Sequence, residues 1–352
     1  MTSKIKEGFF TLGLIALTLL VGCQEDVKPV RPATGVDTKV ETPVGGFAKG
    51  ADISWVTEQE AQQIKFYSRA GVRQDIFPIL KDQGMNSIRL RVWVNPLDGW
   101  CNKTDMLVKA RRAKEAGFRI MIDFHYSDSW ADPGKQTKPA AWASQDITGL
   151  KTSVYSHTAD VMTTLKENGI TPEWAQIGNE TNNGMLWPEG KASVSMANFA
   201  GLIQSGYDAV KSVSPTTKVI VHISNGFDNG LFRWIFDGLK TYNTSYDVIG
   251  MSLYPTVSNW ATLNEQCLVN MNDMVSRYNK EVMVVEVGME ATAAAARDFI
   301  TDLIAKGKKV QSGKGLGVMY WEPQSYNNWK GYGLGAFDAS GKPTAALDAF
   351  KD

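Results

Sequence analysis

One pattern occurs eight times in this sequence: a short apolar run rich in β-branched residues, followed by a longer amphipathic segment. Short apolar runs of this kind are typical of buried strands, and the longer segments have helical spacing. Strands that alternate with helices pair in parallel, and eight of them close into a (β/α)8 TIM barrel, an α/β fold. An open doubly wound sheet is the alternative, although no glycine-rich phosphate fingerprint follows the first strand. We predict one barrel over residues 47–352.

The predicted strands cover residues 50–55, 87–94, 119–125, 174–180, 218–222, 247–254, 281–287 and 315–322. The predicted helices cover residues 72–83, 104–116, 148–168, 193–213, 231–240, 263–279, 292–305 and 343–350. We expect the first three helices to stop at Gly84, Gly117 and Gly169, because glycine favours helix ends.

The N-terminal segment lies outside this pattern and reads as a targeting signal. Lys4 and Lys6 precede an apolar run, which leads to Leu20-Val21-Gly22-Cys23. A small-residue cleavage pattern directly before a cysteine resembles a bacterial lipobox. The resemblance implies that residues 1–22 are a lipoprotein signal peptide and that Cys23 is lipidated. A soluble secreted protein with an incidental Cys23 is the alternative.

Residues 23–46 combine the lipidated cysteine with a stretch rich in Pro, Thr, Val, Gly and charge. Such composition indicates a flexible linker that holds the barrel away from the lipid. We therefore expect a protein anchored by lipid in the bacterial outer membrane, at the cell surface.

The charge balance favours an uncharged partner. Lys plus Arg and Asp plus Glu each number 37, so nothing indicates nucleic acid as a partner. Eleven tryptophans, many at predicted strand ends or in loops, offer apolar faces that suit sugar rings, although tryptophan is also a normal core residue. We expect a polysaccharide substrate and a monomeric protein.

The two remaining cysteines are expected to be free thiols. Cys101 is predicted to follow the second strand, and Cys267 lies in the helix after the sixth. These units lie on opposite sides of an eight-fold barrel, too far apart for a disulfide.

Two carboxylates stand out at predicted strand ends. Glu180 closes the fourth strand, and Glu286 interrupts an otherwise apolar seventh strand. Barrel active sites lie at the C-terminal ends of the strands, and a pair of carboxylates there indicates glycoside hydrolysis. Taken singly, each glutamate is equally consistent with a salt-bridged residue at a strand end.

Other polar and aromatic residues also close the predicted strands, which points to a single site because buried polarity needs partners: Asp52, Arg89, Arg91, Asp123, His125, Asn179, His222, Tyr254, Trp321 and Glu322. Two histidines in this set raise the possibility of a metal site. No spaced ligand motif accompanies them, so we predict neither a metal nor a cofactor.

Three longer stretches resemble a known family. They are Arg89-Leu-Arg-Val-Trp-Val-Asn-Pro96, Asp123-Phe-His-Tyr-Ser-Asp-Ser-Trp-Ala-Asp-Pro-Gly-Lys-Gln136 and Gly178-Asn-Glu-Thr-Asn-Asn-Gly-Met-Leu-Trp-Pro188. Together with the strand-end residues, they resemble clan A glycoside hydrolases and, more specifically, family 53, the arabinogalactan endo-β-1,4-galactanases. The resemblance extends from about Gly50 to the C-terminus.

The resemblance implies a role for several residues. Glu180 becomes the general acid/base and Glu286 the nucleophile of a retaining mechanism, in which the two carboxyl groups stand about 5 to 5.5 Å apart. Arg89 and Tyr254 match the positions that support the nucleophile, and Asn179 matches the contact to the sugar 2-hydroxyl. The candidate substrate-binding residues are Asp52, Trp93, His125, Asp128, Trp130, His222, Trp321 and Trp329.

Two other functions remain open at this point. One is another clan A specificity, such as a β-1,4-glucanase or mannanase, and the other is a surface lipoprotein that binds glycan without turnover.

The chain also departs from some bacterial members of the family, which carry a calcium loop after the seventh strand. Here residues 287–297 are poor in oxygen ligands, so we predict no calcium at that place.

Overall fold

The computed structural model describes residues 45–290 and 292–351. The predicted barrel is confirmed: eight parallel strands follow one another in chain order, and the first pairs with the last. The strands are β1 (Ala48–Asp52), β2 (Ser87–Val92), β3 (Arg119–Phe124), β4 (Trp174–Ile177), β5 (Lys218–Ile223), β6 (Val248–Leu253), β7 (Glu281–Val287) and β8 (Gly315–Trp321).

Helices surround the barrel. They are α1 (Val56–Ala61), α2 (Ile76–Asp82), α3 (Lys103–Glu115), α4 (Ile147–Glu167), α5 (Met196–Val213), α6 (Asn229–Thr241), α7 (Trp260–Tyr278) and α8 (Ala296–Lys308). Helices α2 to α6 each begin after a side chain that accepts a backbone N–H of the first turn, which contributes about 1 kcal/mol per helix; the capping residues are Asp75, Asn102, Asp146, Ser195 and Asp228. Short 3-10 helices cover Ala140–Trp142, Gln311–Gly313, Trp329–Gly331 and Ala345–Phe350.

The predicted helix stops at Gly84, Gly117 and Gly169 are confirmed, since all three have φ between 66° and 84°. The first unit differs from the prediction. A short helix, α1, follows β1 directly, and α2 begins only at Ile76, because Asp75 caps it there. The predicted helix at residues 343–350 is a 3-10 helix.

The side chains inside the barrel change character along its axis. At the N-terminal end of the strands they are apolar, and they include Met121, Trp174, Ile220, Met283 and Met319. Two residues further along three of these strands, the same face carries Asp123, Gln176 and His222, because side chains alternate along a strand. Apolar packing therefore closes the base of the barrel and leaves its polar interior at the C-terminal end.

Cys101 and Cys267 are buried free thiols, as predicted. Within the described ranges, no helix is both long enough and apolar enough to cross a bilayer. The predicted signal peptide, Cys23 and nearly all of the predicted linker lie outside the described residues, so the domain boundaries proposed for the N-terminal segment stay predictions.

Candidate active site

A cleft of about 510 Å³ lies at the C-terminal ends of the strands. Glu180 and Glu286 both line it, together with Asn179 and Tyr254. One carboxylate oxygen of Glu180 lies within 4.8 Å of one of Glu286. An oxygen–oxygen approach of this size fits carboxyl groups that stand about 5 to 5.5 Å apart, closer than the groups at about 6.5 to 9.5 Å that leave room for a water.

A β-bulge turns Glu286 into the cleft. Met283 and Val285 belong to the cluster inside the barrel, so alternation alone would point Glu286 outwards. The pairing of β6 with β7 slips by one residue at this point, where Ser252 pairs with Glu286. Because the bulge adds one residue to β7, Glu286 faces the same interior as Val285.

Glu180 stands just beyond β4 in a left-handed conformation, with φ at 44°. For a residue other than glycine, this conformation costs free energy and persists only where the surroundings enforce it. The backbone N–H of Glu180 donates to His222 Nδ1 at 3.3 Å, and the Ser252 hydroxyl donates to Glu180 Oε1 at 2.7 Å. These two contacts hold the carboxyl group at the cleft.

Arg89 lies beneath Glu286 and is completely buried. Its Nη2 lies 2.7 Å from Glu286 Oε1 and 2.9 Å from Asp123 Oδ2, and its Nη1 lies 2.8 Å from Asp52 Oδ2. The guanidinium group also donates to Gln176 Oε1. One cation thus serves three carboxylates, through the fixed fork of donors that only arginine provides.

Tyr254 donates its hydroxyl to the other oxygen of Glu286, Oε2, at 3.1 Å. Burial, followed by repulsion from Glu286, raises the pKa of Tyr254 well above its ordinary value. The phenol therefore stays protonated and remains a donor over the whole useful pH range.

The two glutamates differ in their partners. Burial raises the pKa of Glu180, and burial likewise raises the pKa of Glu286, against the opposing effect of Arg89. The pair therefore titrates in two steps, with one proton held between them. Because Glu286 contacts the guanidinium of Arg89 and Glu180 does not, we assign the negative charge to Glu286 and the proton to Glu180.

Asn179 and His125 complete the polar wall of the cleft. Asn179 accepts from Arg89 Nη2 at 3.0 Å and donates to the Ala131 carbonyl at 2.8 Å, which fixes its amide. His125 Nδ1 accepts from the Ala131 N–H, so its Nε2 donates to Asp123 at 2.9 Å. Burial lowers the pKa of His125, which favours the neutral ring.

Aromatic rings also line the cleft. Trp55 contacts Trp130 and Trp321 edge to face, with ring centroids 5.7 and 5.1 Å away, and Tyr332 contacts Trp321 at 4.7 Å. Arg91 lies 4.3 Å from the centre of the Trp130 ring. These rings therefore form a packed cluster whose exposed faces suit the apolar face of a sugar.

Of the predicted substrate-binding residues, His125, Trp130 and Trp321 line the cleft. Asp52 and His222 are buried below it, and Trp93 packs behind Trp130 at 5.1 Å. Asp128 accepts the backbone N–H groups of Asn95 and Ala140, so it joins two loops. Trp329 lies in a 3-10 helix beside the lining residue Lys330. The other five predicted substrate-binding residues therefore do not line the cleft.

Among the charged and aromatic residues that line the cleft, the sequence analysis missed four: Trp55, Asp132, Lys330 and Tyr332. Trp55 lies just beyond β1 and carried a usable signal, because it is an aromatic residue near the C-terminal end of a barrel strand. Its backbone N–H donates to the carboxylate of Glu322, which is how the end of β8 holds it. Nothing in the sequence pattern indicated which residues of the loop after β8 fold back over the cleft.

Glu180, His222 and Glu286 each offer an atom within 4.8 Å of the other two, and theirs is the one group of metal-ligand type among the described residues. The surroundings suit a metal poorly, because Arg89 already places a cation on Glu286. Both ring nitrogens of His222 also have hydrogen-bond partners. The donor set fits a carboxyl pair served by arginine, and the predicted absence of a metal stays a prediction.

Comparison with known proteins identifies a family, curated relatives and a solved structure that this chain resembles. The sequence profile of glycosyl hydrolase family 53 matches residues 48–350. The arabinogalactan endo-beta-1,4-galactanase of Thermothelomyces thermophilus is 34% identical over 334 residues, which cover 86% of this chain and 98% of the relative. The enzyme of the same name from Humicola insolens is 35% identical over 331 residues, with the same coverage. A solved structure from work on two fungal beta-1,4-galactanases has a TM-score of 0.80 at 32% identity, covering 87% of this chain and 99% of that one.

Proposed function

This chain belongs to glycosyl hydrolase family 53, and we propose that it is an endo-β-1,4-galactanase that cleaves pectic galactan and arabinogalactan with retention of configuration. The observation that carries the proposal is the close approach of Glu180 and Glu286, within 4.8 Å, with Arg89 on only one of them. Such a pair holds one acid and one anion, which is what double displacement requires.

In the first step, Glu286 attacks the anomeric carbon while Glu180 protonates the departing glycosidic oxygen. Arg89 and Tyr254 each hold one oxygen of Glu286, so the carboxylate is oriented before the substrate arrives. The carbon–oxygen bond to the leaving sugar breaks as the ester bond to Glu286 forms. The product is a glycosyl-enzyme, and Glu180 is left ionised.

In the second step, water attacks the anomeric carbon and the ester bond to Glu286 breaks. Glu180 takes the proton of the water, so the resting protonation state returns. Asn179, which matches the clan's contact to the sugar 2-hydroxyl, stands next to Glu180 with a fixed amide. A hydrogen bond there strengthens in the oxocarbenium-like transition state.

The test is release of reducing ends from β-1,4-galactan by the full chain. Rapid fall in polymer length, with products whose first-formed anomer is β by proton NMR, is the expected result. Glu286→Gln and Glu180→Gln should each lower kcat by roughly 10²- to 10⁴-fold. Glu281→Gln is the matched control, since Glu281 lies at the opposite end of β7 and pairs with Lys218.

Each alternative predicts a different result. Turnover of β-1,4-glucan or β-1,4-mannan in preference to galactan would replace the substrate assignment and leave the mechanism intact. Binding of galactan without any release of reducing ends by folded protein would refute the enzyme and favour a glycan-binding lipoprotein.

The lipid anchor is part of the same proposal. It rests on the sequence Leu20-Val21-Gly22-Cys23 and on the linker-like composition that follows. An anchor on Cys23 would hold the enzyme at the outer membrane while galactan is cut outside. Labelling with a radioactive fatty acid should mark the wild-type chain and not Cys23→Ser, which should also leave the membrane fraction. Equal labelling of the two would refute the anchor.

We also propose that the barrel acts as a monomer, because both carboxylates, Arg89 and Tyr254 come from one chain. Light scattering on purified protein should give the mass of a single chain. An oligomer at catalytic concentrations would contradict this.

A further inference from the structure

Two buried polar side chains stand behind Glu180 and have no role in the reaction described so far. Ser252 on β6 and His222 on β5 are 1% and 0% exposed. His222 Nε2 lies 2.7 Å from Ser252 Oγ, and Ser252 Oγ lies 2.7 Å from Glu180 Oε1. The His222 ring also contacts Glu180 directly, because its Nδ1 accepts the Glu180 backbone N–H at 3.3 Å. The contacts form a closed loop that begins and ends at Glu180.

The direction of the hydrogen bonds follows from counting donors when Glu180 is ionised. Its Oε1 is then an acceptor, so the Ser252 hydroxyl must donate to it. The Ser252 oxygen can then only accept from His222, which places the single ring proton on Nε2. Nδ1 is left with a lone pair, which accepts the Glu180 N–H. Asn179 Oδ1 also lies 3.1 Å from Nδ1, but it accepts its hydrogen bonds from Arg89 and Gln176 instead. Each donor has one acceptor, and the neutral ring satisfies both contacts.

The ring remains neutral because it is enclosed. Burial lowers the pKa of His222 well below its ordinary value, and the neighbouring charge of Arg89 lowers it further. The acidic and basic groups that act on Glu180 or His222 from the other strands and loops are Arg89, Asp123, His125, Asp132, Tyr254 and Glu286. None of them donates a hydrogen bond to Glu180 Oε1, whereas Ser252 does.

We propose that Ser252 and His222 are positioning residues that hold Glu180 Oε1 and stabilise its ionised form, so that Oε2 acts as the catalytic oxygen in both steps. The inference rests on the proposed function, because it assigns a task to residues around the acid/base. Its main consequence falls in the second step, in which Glu180 must be ionised to take a proton from water.

The consequence can be separated from the first step by choice of substrate. A dinitrophenyl β-galactobioside has a leaving group that departs without protonation, so only the second step needs Glu180. Azide attacks the anomeric carbon of the glycosyl-enzyme without giving up a proton, as the ester bond to Glu286 breaks. Azide therefore bypasses a defect in base catalysis and does not bypass a defect in folding or binding.

The experiment compares the full chain with Ser252→Ala on this substrate. Loss of a hydrogen bond to a charged group should lower kcat by about 10- to 100-fold near pH 6, with KM equal or lower, because the glycosyl-enzyme accumulates. Azide should restore the rate and yield the β-galactobiosyl azide. On galactan, the alkaline limb of kcat/KM should move to higher pH, because Ser252 lowers the pKa of Glu180 and its removal raises that pKa.

Two variants make the result specific. Ser224→Ala removes another buried serine, whose hydroxyl accepts from Asn182, and it should change neither rate nor azide response. Ser252→Thr retains the hydroxyl and should recover most of the activity. Ser252→Ala with unchanged kcat and pH profile, or with a loss that azide does not restore, would overturn the inference.

A different set of results would refute the proposed function itself. Glu180→Ala is the reference, since removal of the acid/base itself should also be rescued by azide on the activated substrate. If Glu180→Ala is rescued and Ser252→Ala behaves as wild type, only the roles of Ser252 and His222 are wrong. If Glu180→Ala is not rescued, the acid/base assignment falls and the inference falls with it.

Discussion

Arg89 Nη2 lies 2.7 Å from Glu286 Oε1, and this contact distinguishes the two glutamates of the cleft. The two side chains come from β2 and β7, which are not neighbours in the barrel. Their contact crosses the barrel interior, where water is excluded and charges interact strongly. The contact therefore provides a reason for Glu286, rather than Glu180, to carry the negative charge of the pair.

Arg89→Lys should impair both activity and stability. A single ammonium cannot contact Asp52, Asp123 and Glu286 at once, so at least one buried carboxylate loses its cation. Breaking a buried ion pair costs about 3 to 5 kcal/mol, and kcat should fall by at least roughly 100-fold. Thermal unfolding and galactan turnover measure the two effects. Arg233→Lys, at a half-exposed pair with Asp273, is the control and should change neither. An Arg89→Lys variant with wild-type stability and turnover would contradict the assignment of the negative charge to Glu286.

Tyr254→Phe should lower kcat with little effect on KM. The substitution removes only the hydroxyl that donates to Glu286 Oε2 at 3.1 Å. A hydrogen bond to a charged group is worth about 1.5 to 3 kcal/mol, which corresponds to roughly 10- to 100-fold in rate. Steady-state kinetics on galactan measures it, with the exposed Tyr242→Phe as control. A kcat within twofold of wild type would show that Arg89 alone suffices to orient the nucleophile.

Glu180→Gln should stabilise the fold at neutral pH even though it lowers kcat. Burial raises the pKa of Glu180, so the folded state binds its proton more tightly than the unfolded state does. As pH rises above the unfolded pKa of about 4.5, the unfolded state ionises first, which lowers its free energy and so destabilises the fold. The variant should therefore melt on the order of 2 °C higher than wild type at pH 7. At pH 4, the two proteins should melt at the same temperature. A lower melting temperature at pH 7 would contradict the raised pKa.

The catalytic pair could be predicted because strand ends are fixed by hydrophobic pattern. An apolar run that is followed by Glu180, or interrupted near its end by Glu286, indicates both the strand and its polar end. The bulge that turns Glu286 inward could not be predicted, because a single extra residue leaves no trace in an apolar run.

The loops show why the substrate-binding set was only partly predicted. Asp128 and Asp132 lie four residues apart in one loop, and either carboxylate is chemically suited to bind a sugar. The structure directs Asp128 to the backbone N–H groups of Asn95 and Ala140, and it leaves Asp132 at the cleft. Loop conformation decides between them, and local sequence contains no periodic signal for it.

Trp130→Ala and Asp128→Ala should separate binding from loop structure. Trp130 lies at the cleft against Arg91, so its loss should raise KM for galactan by at least about tenfold, roughly 1.4 kcal/mol of binding. Loss of Asp128 removes two hydrogen bonds to backbone, which should lower stability by about 1 kcal/mol each and leave KM unchanged. Melting curves and kinetics on both variants test this. A rise in KM for Asp128→Ala equal to that of Trp130→Ala would place Asp128 in a subsite.

Calcium should have no effect on the stability of this protein. Residues 287–297, which follow β7, contain a single carboxylate side chain, Glu290, which is exposed. Calcium needs six to eight oxygen ligands, several of them carboxylates, so this loop offers too few. A ligand at a hundredfold excess over its Kd would stabilise the fold by about 2.7 kcal/mol, a shift that melting curves detect easily. Melting temperatures in chelator and in millimolar calcium should therefore agree, with magnesium as the control for ionic strength. A higher melting temperature in calcium alone, abolished by Glu290→Gln, would show that the short loop still binds the ion.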